Sequence, residues 1–154
     1  MSLKNIEYLP LTGEFLSKNG SLLKIGRMGG KSDSGGEYLV IYLEGKNRYV
    51  HRLAFFLMTG EWPKLHVDHI NGIKTDNRWC NLRLATMAQN KANEGIRRSN
   101  TSGWKGVSFC KQTGKWRSYI GGKMRHIGRY DCPAAAHMAY LVEANKSYGE
   151  FARS

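Results

Sequence analysis

The stretch VDHINGIKTDNRWCNLRLATMAQN, residues 67–90, sets an acid beside a histidine and follows them with Asn71, Asn77, Asn81 and Asn90. It does not read as an ordinary hydrophobic core segment. Adjacent side chains of an extended segment point to opposite faces. Asp68 and His69 therefore serve one site only if the strand ends there, and HINGIKTDN, with Gly72 and Asp76-Asn77, marks such an end. NLRLAT then reads as a short strand returning alongside the first. Thr86 is the expected helix N-cap, and Gln89, three residues on, completes a capping box. That start sets Asn90 on the first full turn. Strand, loop, strand and helix bring Asp68 and Asn90 towards each other although 22 residues separate them.

The chemistry open to this constellation follows from the donor types. A carboxylate and an amide oxygen are hard ligands, and so few of them suit a Mg²⁺ that keeps several waters and takes its remaining oxygens from a phosphate. His69 is not needed as a ligand and is suited to act as a general base on water. Asn81 is a candidate to hold the His69 ring and fix its tautomer through a hydrogen bond. The bland alternative is that Asn71, Asp76 and Asn77 only shape a turn, because their side chains bond nearby backbone. A turn alone does not account for His69 beside Asp68 or for Asn90 inside a helix.

Upstream, GEYLVIYLEGKNRYVH reads as a hairpin about Glu44-Gly45-Lys46-Asn47. HRLAFFLMTG switches to helical spacing, with Leu53, Phe56 and Leu57 at i, i+3 and i+4, Gly60 as the stop and Pro63 beyond it. Gly29-Gly30 and Gly35-Gly36 point to a mobile loop in an otherwise β-rich segment 1–50. His51, at the start of the helix, has both a structural and a catalytic reading; His66 and His137 read as ordinary residues. Downstream, EGIRRSNTSG is polar and basic, a linker or docking arm. From Gly103 three short strands are separated by Gln112-Thr113-Gly114 and Gly121-Gly122. A helix follows, with Pro133 at its first position, Gly149 after its end, and alanines that let it lie close against a sheet.

The chain of 154 residues buries one modest core or two small ones, and its composition, 41% hydrophobic with 18 glycines, is that of a folded protein rich in turns. No apolar run approaches the roughly 18 residues that a membrane span needs, and the N-terminus lacks a signal-peptide core, so a cytosolic protein is expected. Cys80, Cys110 and Cys132 are isolated, which excludes a paired-cysteine zinc site and a disulfide framework. Lys and Arg number 24 against 12 acids, a formal charge of +12. The excess is focused: residues 95–130 hold nine basic residues and no acid, interleaved with Trp104, Trp116 and Tyr119. Such a stripe points to a polyanion, and nucleic acid before a membrane surface, because the amphipathic helical period of membrane binding is missing.

The full string D-H-x-N-G-x-x-x-D-N-x-x-x-N-L-R-x-A-T-x-x-x-N resembles the HNH nuclease motif in the variant that ends on asparagine. YVHRLAFFLMTGEWP is similar to the segment that precedes it in homing endonucleases of phages and bacteria. The resemblance implies a ββα-metal module and hydrolysis of DNA phosphodiester bonds, leaving 5′-phosphate and 3′-hydroxyl ends. It makes Asp68 and Asn90 the ligands of one divalent cation, Mg²⁺ or else Mn²⁺, His69 the general base and Asn81 its orienting partner. Asn77 and Arg83 fall on positions that brace the loop or touch phosphate.

Residues 102–152 resemble the plant ethylene-response-factor (Apetala-two class) DNA-binding domain. Lys105-Gly106-Val107, Gly114-Lys115-Trp116, His126-Ile127-Gly128-Arg129-Tyr130 and the alanine-rich helix carry the likeness. It implies a three-stranded sheet lying in the major groove, with Lys105, Lys111, Lys115, Arg117, Tyr119, Arg125 and His126 facing DNA. Trp116 is as readily a core residue as a stacking one, and Arg97 and Arg98 are expected on phosphate. Where the plant pattern has arginines, this chain has Ser108, Lys111 and Gly121, which implies a different or relaxed sequence preference.

The expected architecture is α+β: a β-rich segment 1–50 leading into the nuclease core, an HNH ββα-metal module 51–94, a basic linker 95–102, and a three-stranded antiparallel sheet packed on one helix over 103–154. The expected protein is a homing-type endonuclease of a bacterial or phage-infected cytosol. It acts on double-stranded DNA as a monomer or homodimer and nicks one strand per monomer. The alternative is a non-catalytic DNA-binding regulator with a vestigial HNH scaffold.

Overall fold

A computed structural model describes residues 3–29, 37–122 and 124–154, so Gly30, Gly35 and Gly36 of the expected loop lie outside the described residues. The chain divides into two compact units, Met1–Ala85 and Thr86–Ser154.

The N-terminal unit runs β1 (Ile6–Leu9), β2 (Glu14–Ser17), β3 (Gly26–Gly29), β4 (Glu37–Leu43), β5 (Lys46–Tyr49), α1 (Val50–Thr59), β6 (His66–His69) and β7 (Leu82–Ala85). Its strands pair as β1-β2, β3-β4-β5 and β6-β7, each pairing antiparallel. The hairpin expected around residue 45 is present and tighter than expected. Only Glu44 (φ 50°) and Gly45 (φ 79°) lie between the strands, both in the left-handed region that a two-residue hairpin turn requires. Helix α1 stops where the spacing says it should: Gly60 sits at φ 80° and donates its N–H to the Phe56 carbonyl. Arg52 donates to the carbonyls of Pro63 and Leu65, which ties α1 to the chain entering β6.

Leu53 and Ala54 of α1 are fully buried and share one core with Tyr8, Phe15, Ile41, Leu43, Val50, Val67 and Leu82. The β-rich segment 1–50 is thus half of the core on which β6 and β7 rest. Burying a Phe or Leu side chain contributes about 1.5–3 kcal/mol, so Phe15 and Leu43 anchor the motif strands as surely as α1 does.

The C-terminal unit runs α2 (Met87–Asn93), β8 (Val107–Cys110), β9 (Lys115–Ile120), β10 (Arg125–Tyr130) and α3 (Pro133–Tyr148). The three strands form an antiparallel sheet in the order β10-β9-β8, and α3 lies across it through Ala136, Tyr140 and Ala144. Gly106 (φ 73°) lies under the Tyr140 ring, with no room for a Cβ, which accounts for the glycine in Lys105-Gly106-Val107. The basic stretch 95–102 belongs to this unit and is tied into it, Asn100 Nδ2 donating to the Trp104 carbonyl and Ser102 Oγ to that of Val107.

Candidate functional site

Strand β6 ends at His69, and Gly72 donates its N–H to the His69 carbonyl, so the chain turns at the point where two polar side chains must serve one place. The β6-β7 register sets Asp68 directly opposite Arg83 and His69 opposite Leu82. Arg83 Nε lies 3.0 Å from Asp68 Oδ2, and both side chains are buried. Each charge of the buried pair is compensated by the other.

His69, only 4% exposed, points away from that pair into a ring cluster. The His51 ring meets it edge-on at 5.2 Å between centroids, and Tyr38 lies 6.3 Å from it. His69 Nε2 stands 3.2 Å from Asn77 Oδ1. The amide orientation is set independently, because Asn77 Nδ2 donates to the Thr75 carbonyl at 3.1 Å. Oδ1 is therefore the atom turned to the ring, Nε2 carries the hydrogen, and Nδ1 is the basic nitrogen. Burial pushes the His69 pKa below its ordinary value, while the Asn77 bond and the Asp68 charge push it back up.

Asn81 does a different task. Its Oδ1 accepts from the Asn71 N–H at 2.9 Å and its Nδ2 donates to the Asp76 carbonyl at 2.7 Å, so it closes the loop 71–76. The sequence reading assigned the ring to Asn81 and loop bracing to Asn77; the hydrogen bonds run the other way. The 3₁₀ turn Trp79–Asn81 rotates Asn81 inward under the loop and leaves Asn77 beside the ring. Asp76 is held well below the usual carboxylate range, at about 2, chiefly by its bonds from Arg78.

The loop is also clamped from the N-terminal hairpin. Tyr8 Oη donates to the Asn77 carbonyl at 2.6 Å, and the Trp79 N–H to the Pro10 carbonyl at 2.9 Å. Gly13, at φ 79°, comes so close that a Cβ would lie 2.7 Å from Arg78 N and from the Asn77 carbonyl carbon. The backbone of Asn77 is fixed by residues more than sixty positions away.

Asn90 stands in α2, in the C-terminal unit, half-buried. Both hydrogen bonds of the expected capping box are present between Thr86 and Gln89, and Asn90 donates its N–H to the Thr86 carbonyl at 2.9 Å. The start of α2, and so the helical turn on which Asn90 sits, is specified by two local residues, Thr86 and Gln89.

Residues 48–92 match the model of the HNH endonuclease family. Protein 3.8 of Escherichia phage T7 is 34% identical over 97 residues, which are 61% of this chain and 79% of the relative. The chain belongs to the HNH endonuclease family. A second relative, an uncharacterized HNH endonuclease of Acanthamoeba polyphaga mimivirus, is 34% identical over 118 residues, 75% of this chain and 60% of that protein. A solved structure, of DNA binding and cleavage by the HNH homing endonuclease I-HmuI, is 30% identical over 60% of this chain and 55% of that one, with a TM-score of 0.41.

The HNH segment includes His51, which sequence reasoning left undecided. The signal was there in part: a histidine at the start of a mostly apolar helix, beside Arg52. What the sequence did not show is that β5 and α1 carry it to His69.

On the C-terminal sheet of this HNH protein the expected DNA-facing residues divide between two faces. The register aligns Arg117 with Ser108 and Arg129, and Tyr119 with His126. Lys115, Arg117, Tyr119, His126 and Arg129 therefore share the face away from α3, with Lys111 exposed at the β8-β9 turn. Lys115 also reaches Asp131 at 3.0 Å. Arg129 joins the residues expected to face DNA, brought to this face past the irregularity between His126 and Gly128. Two other residues of that set have different tasks. Arg125 pairs with Glu143 of α3 at 2.6 Å. Lys105 donates through Nζ to the carbonyls of Ala92, Glu94 and Arg153 at 2.5, 2.6 and 2.9 Å, which turns a candidate phosphate ligand into a cap for the end of α2. Trp116 packs on Phe109 with ring centroids 5.0 Å apart, on the α3 side of the sheet. Arg97 and Arg98 are exposed.

Proposed function

We propose that this chain is a divalent-metal-dependent DNA endonuclease of the homing type. It hydrolyses a phosphodiester bond at the His69 site, and the basic face of its C-terminal unit, a domain of the ethylene-response-factor kind, holds it on duplex DNA. The observation that carries the reading is the buried His69–Asn77–Thr75 chain of hydrogen bonds. A histidine held as the Nε2–H tautomer has its basic nitrogen at Nδ1, and a base held neutral by burial is ready at physiological pH.

The donor set fits a hard cation. Asp68 supplies a carboxylate already held in place by Arg83, and Asn90 an amide oxygen. Among the described residues no group of three or more His, Cys, Asp or Glu side chains is arranged to hold an ion. Were Asp68 and Asn90 to hold one ion, its other ligands would come from water and phosphate, as Mg²⁺ and Mn²⁺ accept. When bound, the cation offsets the charge that builds on the phosphate and on the departing oxygen.

The protein's own part runs as follows. His69 Nδ1 takes a proton from the attacking water while the water oxygen bonds to phosphorus. The bond from phosphorus to the 3′ oxygen breaks, leaving a 5′-phosphate and, after a proton from solvent, a 3′-hydroxyl. The imidazolium left on His69 is stabilised by Asn77 at Nε2 and by the neighbouring Asp68 carboxylate. One His69 per chain implies one cut strand per monomer.

Conversion of supercoiled plasmid, followed by genomic DNA of candidate hosts, tests this. With Mg²⁺, wild type should give open circles, and His69→Ala and an EDTA-treated control should give none. Linear product would indicate paired sites. Intact DNA on every substrate, with a gel shift retained, would replace the nuclease with a DNA-binding regulator.

A further inference from the structure

His51 is 7% exposed, sits in the first turn of α1, and makes no hydrogen bond through either ring nitrogen to any described residue. Its surroundings are rings: Tyr38 at 5.1 Å, Tyr49 stacked at 5.5 Å and His69 at 5.2 Å between centroids. A ring nitrogen with no partner in the protein is left to bond water or a ligand. Packing does not require it, since a phenylalanine would fill the same space with no nitrogen at all. Burial, followed by the neighbouring His69 and Arg52, pushes the imidazole pKa down to about 3, so the ring is neutral and carries one N–H donor.

What that donor is for is indicated by its place. The ring meets the base in a T-shaped contact with centroids 5.2 Å apart, so one phosphodiester group is within reach of both. Helix α1 begins without a side-chain cap on Tyr49 and with no acid in its first turn, so its positive end is uncompensated at the residue in question. The uncapped helix end favours an anion beside the ring.

We propose that His51 is a second catalytic histidine, whose ring N–H donates to a non-bridging oxygen of the scissile phosphodiester while His69 acts on the water. The inference rests on the nuclease reading above. It assigns His51 a donor's role, not a base's: it moves no proton, and it stabilises charge as the phosphate becomes pentacovalent.

Four proteins separate the possibilities: wild type, His51→Phe, His51→Gln and His51→Asn, each checked for an unchanged melting transition. Single-turnover nicking with Mg²⁺ and gel-shift affinity are read for each. Losing one such donor slows a reaction by about 10²–10³-fold. His51→Phe should therefore slow nicking at least tenfold while affinity stays within about threefold. One of the amide variants, which restore an N–H near one ring nitrogen or the other, should recover part of the rate. Independently of cutting, the ¹⁵N ring resonances of His51 in wild type should move when a duplex that the protein shifts on a gel is added with Ca²⁺. A His51→Phe protein that nicks at the wild-type rate overturns the proposal, as does a His51 ring signal indifferent to DNA. If wild type itself does not nick, the nuclease reading fails alone, and the ring signal still decides whether His51 meets phosphate.

Discussion

The two units handle their polar residues in opposite ways. Beside His69 the polar side chains of the motif are buried and held: Asp68 by Arg83, His69 by Asn77, Asn77 in turn by Thr75 and Tyr8. On the open face of the C-terminal sheet, Lys115, Arg117 and Arg129 stand in solvent, and Asp131, which pairs with Lys115, is itself 89% exposed. Bond hydrolysis needs groups fixed to within a fraction of an ångström before the reaction begins. Attraction to a phosphate backbone needs only a density of mobile positive charge, because the gain comes from released counterions. The same chain therefore uses rigidity where it would cut and mobility where it would bind.

Breaking the rigid side should cost most. His69→Ala should lower single-turnover nicking by about 10³-fold, the middle of the range for a general base, with gel-shift affinity unchanged. An equal loss of affinity would mean that the histidine acts in binding. Gly13→Ala attacks the same site from a distance. An alanine at φ 79° whose Cβ meets backbone at 2.7 Å should destabilise the N-terminal unit by more than about 2 kcal/mol, read from thermal melting.

The acid limb of stability sharpens the contrast further. His51 is held neutral, with a pKa near 3 folded against 6.5 unfolded, so its contribution is fully present above pH 6.5 and is lost progressively as pH falls towards 3. His51→Phe should flatten that part of the stability profile measured by denaturant titration. Within the basic half, Lys105 and Arg117 should part company. Lys105→Met leaves three backbone carbonyls without their donor and should cost about 1–3 kcal/mol of stability. Arg117→Ala, with Arg129→Ala, should leave melting nearly unchanged, weaken binding a few-fold each, and reduce the slope of log affinity against log salt by about one.

How much of this was legible depended on the range of the interactions. The Glu44-Gly45 turn, the Gly60 stop, the Thr86–Gln89 capping box and the Pro133 and Gly149 helix limits are each specified by residues within one turn of one another, and each is where the sequence puts it. The motif residues were legible because their spacing is itself a chemical pattern. The roles of Asn77 and Asn81 were not: both are loop amides with the same chemistry. Which one meets His69 depends on a 3₁₀ turn and on clamps from Tyr8, Pro10 and Gly13, none of which a local reading reaches. His51 was hidden for the same reason, since ring contacts across eighteen residues of sequence require β5, α1 and β6 to be folded first. Lys105 misled because a lysine in a basic stripe looks like every other lysine there until its partners are known.

The clamp on Asn77 bears on how such an activity could travel between proteins. The bond from Tyr8 to the Asn77 carbonyl spans 69 positions. A gene fragment encoding residues 48–92 would carry every residue of the family match, with Asp68, His69, Asn77, Asn81 and Asn90 among them. It would carry neither Tyr8, Pro10 nor Gly13, and its histidine would be held by a loop that nothing holds. Recombination that moved the motif alone would transplant the signature and leave its support behind, so the heritable unit of this HNH protein begins well upstream of the residues that define the family.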